Sequence, residues 1–390
     1  MTTAYPLSRP HLRRCIIALL LLALTACVEE YDAALPLSDT CMPAVEGTIV
    51  SDSLCTFILT HTVSINADAW DPDLNAITNA VVSVVGDDGS QWQAASQGKG
   101  RYQVAVGTLS PDVAYHLDIR WNGEVYASTP ARPLPTPDLT ALRWMPAKEE
   151  GDAHFLLSAE APDDGCFFWY CTEDWEINTP FPGSYIYSPE EDIIIPHVIY
   201  IGRGWCHNER LPLIGTADDY AGSRLVDYPL LTVRRNDNRF NTLYAVTATQ
   251  RAVTRAEYEY EHQLEQQSYD MGGLFTPLPT MLPGNIFCTS NPSLQAIGYI
   301  GVSAGTSSRR LFVTSKEIGH EAERHARNLT DDEMAGHDMF ELYTMGYRVH
   351  TCSILGITWT WRWCVDCSDP YWGATYPRPD FWPQDDEYER

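Results

Sequence analysis

The sequence has little positive charge. Its 390 residues contain 26 Lys or Arg against 52 Asp or Glu, which gives a formal net charge of −26. Nucleic-acid affinity depends on basic side chains that neutralise phosphates, and a surface this acidic repels phosphate and anionic lipid headgroups. The composition therefore excludes nucleic acid as a partner. It leaves neutral ligands, cationic partners and membrane attachment through an acyl chain open.

Long apolar runs are also scarce. The clearest one, Ile16 to Leu24, has about half the length that a membrane-spanning helix needs. Two arginines precede it and small residues follow it, which is the order of a secretory signal peptide. Residues 24–27, Leu-Thr-Ala-Cys, form a lipobox, so we predict removal of residues 1–26, cleavage between Ala26 and Cys27, and lipid on Cys27. An ordinary secreted protein with a cysteine here by chance is the alternative.

Acidic residues directly follow the predicted lipidated cysteine. Glu29 and Glu30 resemble the surface-export signal of lipoproteins in the Bacteroidetes-type outer membrane. We therefore predict a protein that is lipid-anchored in the outer membrane and faces the extracellular side. The simpler interpretation of the same stretch is a solvated tether over residues 27–40.

The sequence contains no complete catalytic motif. Residues 301–305 match G-x-S-x-G around Ser303, but polar turn residues and a strand pattern follow where a nucleophile elbow needs a helix. His320 and His325 are five positions apart, so they diverge by about 140° on a helix, whereas a zinc-protease helix needs a spacing of four. We predict no catalytic residue and no cofactor.

Metal binding has only weak support. Asp68, Asp71 and Asp73 gather oxygen atoms that suit calcium, but the turn glycine and distal glutamate of an EF-hand are missing. His350 with the cysteines at 352, 364 and 367 has the ligand count of a structural zinc site. Because export to an oxidising compartment favours disulfides over thiolate ligands, we predict no metal.

Cysteine usage fits export. Of 11 cysteines, one lies in the predicted signal peptide and one at the anchor, and most of the others are expected to pair outside the cytoplasm. The first candidate disulfide joins Cys352 to Cys364 or Cys367. The second closes the short loop between Cys166 and Cys171.

Residues 41–129 have the pattern of an Ig-like β-sandwich, with short β-branched or aromatic runs separated by turns. Asn122-Gly123 is a two-residue hairpin signal. Four prolines in residues 130–137 can neither join a sheet nor continue a helix, so we predict a linker there and a larger β-rich domain over residues 138–390. The predicted strands of the first domain are Gly47–Val50, Thr56–Ser64, Ala80–Val85, Gln91–Ala95, Tyr102–Val106, Tyr115–Trp121 and Glu124–Ser128.

One prominent helix is predicted in the second domain. It follows Thr254, which forms a capping box with Glu257. Ala256, Tyr260 and Leu264 fall on its apolar face, and Glu259 and Glu261 fall off that face.

Three tryptophans near the end of the chain alternate with polar residues. On a strand, Trp359, Trp361 and Trp363 share one face. Burial in a core is the simpler interpretation, and a stacking platform for a sugar or a flat chelate is the functional one.

Nine short segments together point to a known family. They are 45–47, 100–102, 114–117, 166–175, 273–275, 283–287, 298–299, 364–367 and 379–382. Taken in this order, they resemble the domain-of-unknown-function family 4249 of Bacteroidetes lipoproteins. The resemblance implies an outer-membrane lipoprotein, often encoded beside a TonB-dependent transporter, and implies no catalytic residue. Cys41, Cys55 and residues 315–348 depart from it.

These observations together predict a non-catalytic protein that captures a ligand or assists a TonB-dependent transporter. A surface hydrolase that uses a carboxylate pair is the first alternative, because the many acids allow such a pair. A structural or adhesive surface protein is the second.

Overall fold

The computed structural model describes residues 41–62, 75–146, 152–162, 164–197, 201–220, 222, 224–270, 282, 284–320 and 326–384. All of these except Cys41 belong to one compact unit. The predicted signal peptide, lipidation site and export signal lie outside the described residues, as do Asp68, Asp71 and Asp73.

Strands dominate the described chain, which confirms the predicted mainly β fold. They are β1 Pro43–Val50, β2 Ser53–His61, β3 Val81–Gly86, β4 Gln91–Gln93, β5 Ala95–Gly98, β6 Arg101–Val106, β7 Tyr115–Trp121, β8 Glu124–Ser128, β9 Leu139–Pro146, β10 Asp152–Glu160, β11 Cys166–Asn178, β12 Tyr185–Ser188, β13 Ile193–Pro196, β14 Arg203–Glu209, β15 Leu213–Thr216, β16 Arg224–Arg234, β17 Leu243–Val253, β18 Ile286–Cys288, β19 Gly301–Ser303, β20 Ser307–Thr314, β21 Tyr347–Ser353 and β22 Gly356–Trp361.

Helices are few in the same residues. The long one is α1 Arg255–Asp270, and the short ones are α2 Ser315–Ile318, α3 Asp331–Met334 and α4 Met339–Thr344, with 3-10 turns at Asn238–Phe240 and Arg362–Cys364. No helix in the described ranges is long and apolar enough to cross a membrane.

The N-terminal strands form two five-stranded sheets, ordered β19-β1-β2-β6-β5 and β18-β8-β7-β3-β4. One hydrophobic cluster contains residues of both, including Phe57 from the first sheet and Leu117 from the second. Side chains of β7 alternate between buried and exposed positions, as expected for a strand with one face in a core. This is the sandwich arrangement that the sequence predicts.

Two strands of these sheets come from far along the chain. β19 pairs in parallel with β1, with Ile49 opposite Val302, and β18 pairs with β8. The sandwich sheets therefore include residues beyond the predicted range 41–129. The division into domains at the proline-rich linker stays a prediction.

The predicted Asn122-Gly123 turn is confirmed. It joins β7 to β8, and both residues have positive φ, 51° and 83°. A type I′ hairpin turn needs this left-handed backbone at both positions, which asparagine and glycine tolerate best.

A second group of sheets follows the linker. β14-β11-β17-β20 form one sheet, with β15 also on β11, and β16-β10-β9 form another. A second core, which includes Phe155, Trp169 and Tyr244, contains residues of both sheets. Gln250 of β17 ties this core to the linker, because its side chain donates to the Pro137 carbonyl at 2.9 Å and accepts from the Trp169 indole at 2.8 Å.

The cysteine pairings predicted from the sequence do not fit this fold. Cys166 and Cys171 lie five residues apart on β11, about 17 Å along the strand and on opposite faces, whereas a disulfide needs Cα atoms within about 7 Å. The eight described cysteines from Cys55 to Cys367 form no disulfide. The Cys166–Cys171 prediction is wrong because the segment is an extended strand and not a loop.

The C-terminal pairing is also wrong. Cys352 lies opposite Ile357, next to the turn between β21 and β22, whereas Cys364 follows the other end of that hairpin. Cys367 packs in a separate cluster with Cys206.

Among the eight cysteines from Cys55 to Cys367, we expect rapid alkylation of the folded protein at about pH 8 to be confined to Cys352, because the other seven are buried. Burial raises the pKa of Cys171 and of Cys206 to about 12 and that of Cys367 to about 11, so these thiols hold their protons. Peptide mass mapping after purification without reductant, on a Cys27→Ser variant, measures this pattern.

The matched control is the same protein in denaturant, where all eight cysteines from Cys55 to Cys367 should react. A bridged Cys166–Cys171 peptide, or a bridge from Cys352 to Cys364, would contradict the fold.

Candidate functional site

A cavity of about 440 Å³ lies beside α1. Its wall is formed by the start of β1, the end of β17, one face of α1 and the loop before β19. We call it the helix cavity. The side chains that give it its chemistry are Tyr170, Arg251, Glu257, Tyr260, Glu261 and Tyr299.

α1 begins as the capping signal predicts. The backbone N–H of Glu257 donates to Thr254 Oγ1 at 3.1 Å, which satisfies an N–H that the first turn leaves free. Glu257, Tyr260, Glu261 and Leu264 then follow at the spacing of one helix face, and all four line the cavity. The prediction that Glu261 lies off the packed face is wrong.

Arg251 lies opposite Phe168 in the neighbouring strand, near the end of β17. Its Nη2 donates to Glu257 Oε1 at 2.9 Å, and the two side chains are only 4% and 5% exposed. Its guanidinium also lies 5.0 Å from the centre of the Phe168 ring. Burial opposes the positive charge, but Glu257 raises the pKa of Arg251, so the guanidinium stays charged.

Glycine at position 301 makes room for this pair. A Cβ on Gly301 would lie 2.4 Å from Glu257 Oε2, closer than real Cβ contacts allow. Since Glu257 is held by Arg251, it has little freedom to move aside. The first residue of β19 therefore determines where the carboxylate sits.

Two donor groups of Arg251 have no partner. Nε and Nη1 are buried and have no hydrogen-bond acceptor of good geometry among the described residues, while the Tyr170 hydroxyl lies close enough to interact with the guanidinium and to raise its pKa. A buried donor without an acceptor costs about 1–3 kcal/mol. Because most buried polar groups are hydrogen-bonded, these two donors indicate a site for an incoming oxygen atom.

Glu261 is an acceptor that lacks a donor. It is half-buried, and within the described ranges no cation or hydrogen-bond donor pairs with its carboxylate. Burial, followed by the charge of Glu257, raises the pKa of Glu261 above its ordinary value, and Arg251 only partly offsets this. The cavity therefore contains a carboxylate that lacks a counter-ion.

Aromatic rings form the rest of the wall. The Tyr260 and Tyr299 rings are 5.6 Å apart, and Tyr170 stacks on Phe168 at 6.3 Å. The Val45 N–H donates to the Ile297 carbonyl at 2.9 Å, which ties β1 to the loop that carries Tyr299. The wall is thus built on hydrogen-bonded backbone.

The buried carboxylate of Glu173, in the sheet β14-β11-β17-β20, is fully paired. Glu173 of β11 accepts from Arg210 at 2.5 Å, Arg239 at 2.6 Å and the Tyr244 hydroxyl at 2.6 Å. Although burial alone would raise the pKa of Glu173, these partners hold it below its ordinary value. Both carboxylate oxygens of Glu173 thus accept hydrogen bonds from residues of the fold. This network stabilises the sheet and leaves the carboxylate without a free position for a ligand.

The structure does not bring the three predicted stacking tryptophans onto one face. β22 ends at Trp361, and Trp363 lies in the 3-10 turn that follows. Trp359 is 2% exposed and packs with Tyr187, and Trp361 belongs to the same cluster. Trp363 packs instead against Trp372, so the shared face is lost where the strand stops.

A second cavity, of about 570 Å³, lies beside Trp359. Its polar groups are engaged with one another: Asp192 accepts from Tyr187 at 2.7 Å, and His337 lies 3.3 Å from Glu341. It offers a ligand no unpaired buried group, so we prefer the helix cavity.

The described residues of the remaining sequence motifs do not assemble the sites that their patterns would need. Ser303 is fully buried at the end of β19 and donates to the Gly305 carbonyl at 2.8 Å. The chain then continues into β20, which joins another sheet, so no nucleophile elbow forms. His350 stacks on Phe181 with ring centres 4.2 Å apart. The described residues contain no group of three or more His, Cys, Asp or Glu that could hold a metal.

Sequence reasoning missed Arg251. The available signal was a polar pair, Gln250-Arg251, inside a run of strand formers directly before a capped helix with an acid in its first turn. Whether this pair contacts the helix depends on which strand packs beside the helix, and local sequence patterns do not specify that.

A family model described as a domain of unknown function, DUF4249, matches residues 28–309, a range that includes every residue of the helix cavity. No curated protein matches the chain.

Two solved structures are similar at a low level. A DUF4785 family protein of Legionella pneumophila is 7% identical with a TM-score of 0.17, over 53% of this chain and 52% of that one. The chain thus spans about half of that protein's length. The C-terminal domain of the Streptococcus pyogenes antigen I/II-family protein AspA is 8% identical with a TM-score of 0.12, over 70% of this chain and 98% of that domain.

Proposed function

The chain belongs to DUF4249, a family of domains of unknown function, and we propose that it is a lipid-anchored outer-membrane protein that captures a small ligand in the helix cavity. The observation that carries this proposal is the buried Arg251, whose Nε and Nη1 lack acceptors at the cavity wall. A volume of about 440 Å³ lies within the range of small-molecule sites.

The proposed location in the outer membrane is supported by the sequence alone. Cys27 in the lipobox supplies the anchor, and Glu29 and Glu30 direct the protein to the extracellular side. The family resemblance supports a TonB-dependent transporter as the partner that receives the ligand.

A surface hydrolase is the second candidate function. Glu257 and Glu261 face one cavity, and Glu261 has the raised pKa of a general acid. However, Glu257 is already held by Arg251 and packed against Gly301, which leaves it poorly placed to act as nucleophile or base. An adhesive role has less support, since it predicts a flat exposed patch rather than a cavity.

A thermal-shift screen tests ligand capture. The lipid-free Cys27→Ser protein is melted with sugars, organic acids, polyamines, amino acids and dipeptides. We expect at least one class to raise Tm, because a ligand at about 100 times its Kd stabilises the folded state by about 2.7 kcal/mol. Leu264→Trp, which fills the cavity, should abolish the shift.

Leu355→Trp is the matched control, because Leu355 is 94% exposed and lies outside the helix cavity. Its ligand-induced shift should equal that of the parent protein. If no compound moves Tm, or if Leu264→Trp leaves the shift intact, capture in this cavity is wrong.

We also expect Cys27→Ser to remove the anchor. Radioactive palmitate should label the parent protein and not the variant, and the variant should leave the membrane fraction, because Cys27 is the proposed lipid carrier.

The Glu29→Gln, Glu30→Gln double variant should keep the label but be digested less by protease added to whole cells. Palmitate labelling of the Cys27→Ser protein would contradict the assignment.

A further inference from the structure

We infer that the ligand of the helix cavity is a zwitterion, an α-amino acid or a dipeptide, whose carboxylate pairs with Arg251 and whose ammonium pairs with Glu261. This inference depends on the proposed function, because it names the ligand class of the same cavity. It follows from two unmet demands of opposite sign in one wall.

The first demand is for an acceptor. Arg251 is 3% exposed and uses Nη2 for Glu257, while Nε and Nη1 stay without an acceptor. A carboxylate accepts from two guanidinium N–H groups at once, and such charge-assisted bonds are about twice as strong as neutral ones. Both donors are covered from solvent, so the carboxylate has to displace side chains of the wall to reach them.

The second demand is for a cation. Among the described residues Glu261 forms no salt bridge or hydrogen bond, and the positive charge of Arg251 only partly offsets the negative charges of Glu257 and Glu46 in the same wall. An ammonium donates up to three hydrogen bonds and supplies the missing positive charge. The electron-rich faces of Tyr260 and Tyr299 favour a cation as well.

Ligands of one sign satisfy only half of the site. A simple anion fills the donors of Arg251 but meets the unpaired charge of Glu261. A simple amine neutralises Glu261 but leaves Nε and Nη1 of Arg251 buried without an acceptor, so it binds more weakly than a ligand that also supplies one. A molecule that carries both charges at a short separation meets both demands.

Isothermal titration with matched ligands tests the inference. The ligands are free amino acids and dipeptides, each compared with its N-acetyl form, which lacks the ammonium, and its C-terminal amide, which lacks the carboxylate. We expect the parent protein to bind at least one free zwitterion, and each blocked form to bind about tenfold more weakly or worse.

Two variants assign the two charges. Glu261→Gln should weaken the free ligand about tenfold and leave the weak N-acetyl form unchanged. Arg251→Lys keeps a cation for Glu257 but loses the planar fork, so it should weaken the free ligand and leave the amide unchanged. Glu259→Gln is the control, since Glu259 is exposed on the same helix and does not line the cavity.

Stability separates binding from folding. Because the fold raises the pKa of Glu261, its ionised form weakens the fold at neutral pH. Glu261→Gln should therefore raise Tm of the ligand-free protein by about 1–2 °C while it weakens binding. If Glu261 served only to stabilise the fold, Glu261→Gln would lower the Tm of the ligand-free protein instead.

The outcomes distinguish this inference from the proposed function. If a sugar, an organic acid or a polyamine binds and Leu264→Trp blocks it, but no zwitterion binds, capture stands and the ligand class is wrong. Equal affinity for free and blocked zwitterions also overturns the inference. If nothing in the wider screen binds, the proposed function fails as well.

Discussion

The ion pair between Arg251 and Glu257 joins the end of β17 to the first turn of α1. Two charges that are nearly withdrawn from water stabilise a fold only when their geometry is well matched, and removal of one partner leaves a buried charge that costs about 3–5 kcal/mol. The pair also requires glycine at position 301, because a Cβ there would meet the Glu257 carboxylate. Gly301 begins β19, which pairs with β1 of the sandwich. The Arg251–Glu257 pair therefore links α1, the sheet that contains β17 and the sandwich.

Local patterns in the sequence predicted much of this architecture. β7 and β8 occur with the predicted bounds, because alternation and an Asn-Gly turn are properties of neighbouring residues. The parallel pairing of Ile49 with Val302 was not predictable in this way, since the two residues are far apart in the sequence. The prediction for Glu261 was wrong for a related reason. Arg251, which lies on a strand, permits Glu257 to be buried, and this changes which face of α1 lines the cavity.

The buried charges of this protein fall into two kinds. The Glu173 network uses every group it contains, and hydrogen bonds from Arg210 and Tyr244 offset its burial. The helix cavity instead retains two guanidinium donors without acceptors and a carboxylate without a cation. Groups left unpaired at a cavity wall lower stability, and a site that binds a ligand tolerates this cost because the ligand supplies the missing partners.

A double-mutant cycle on Arg251→Met and Glu257→Gln tests most directly whether the ion pair positions α1 and shapes the cavity. The measured quantity is the free energy of unfolding of the parent, both single variants and the double variant in denaturant. Our account predicts that each single change destabilises strongly and that the double change costs much less than their sum, with a coupling energy of about 1–3 kcal/mol. Additive effects, within about 0.5 kcal/mol, would show that the pair does not hold the site together.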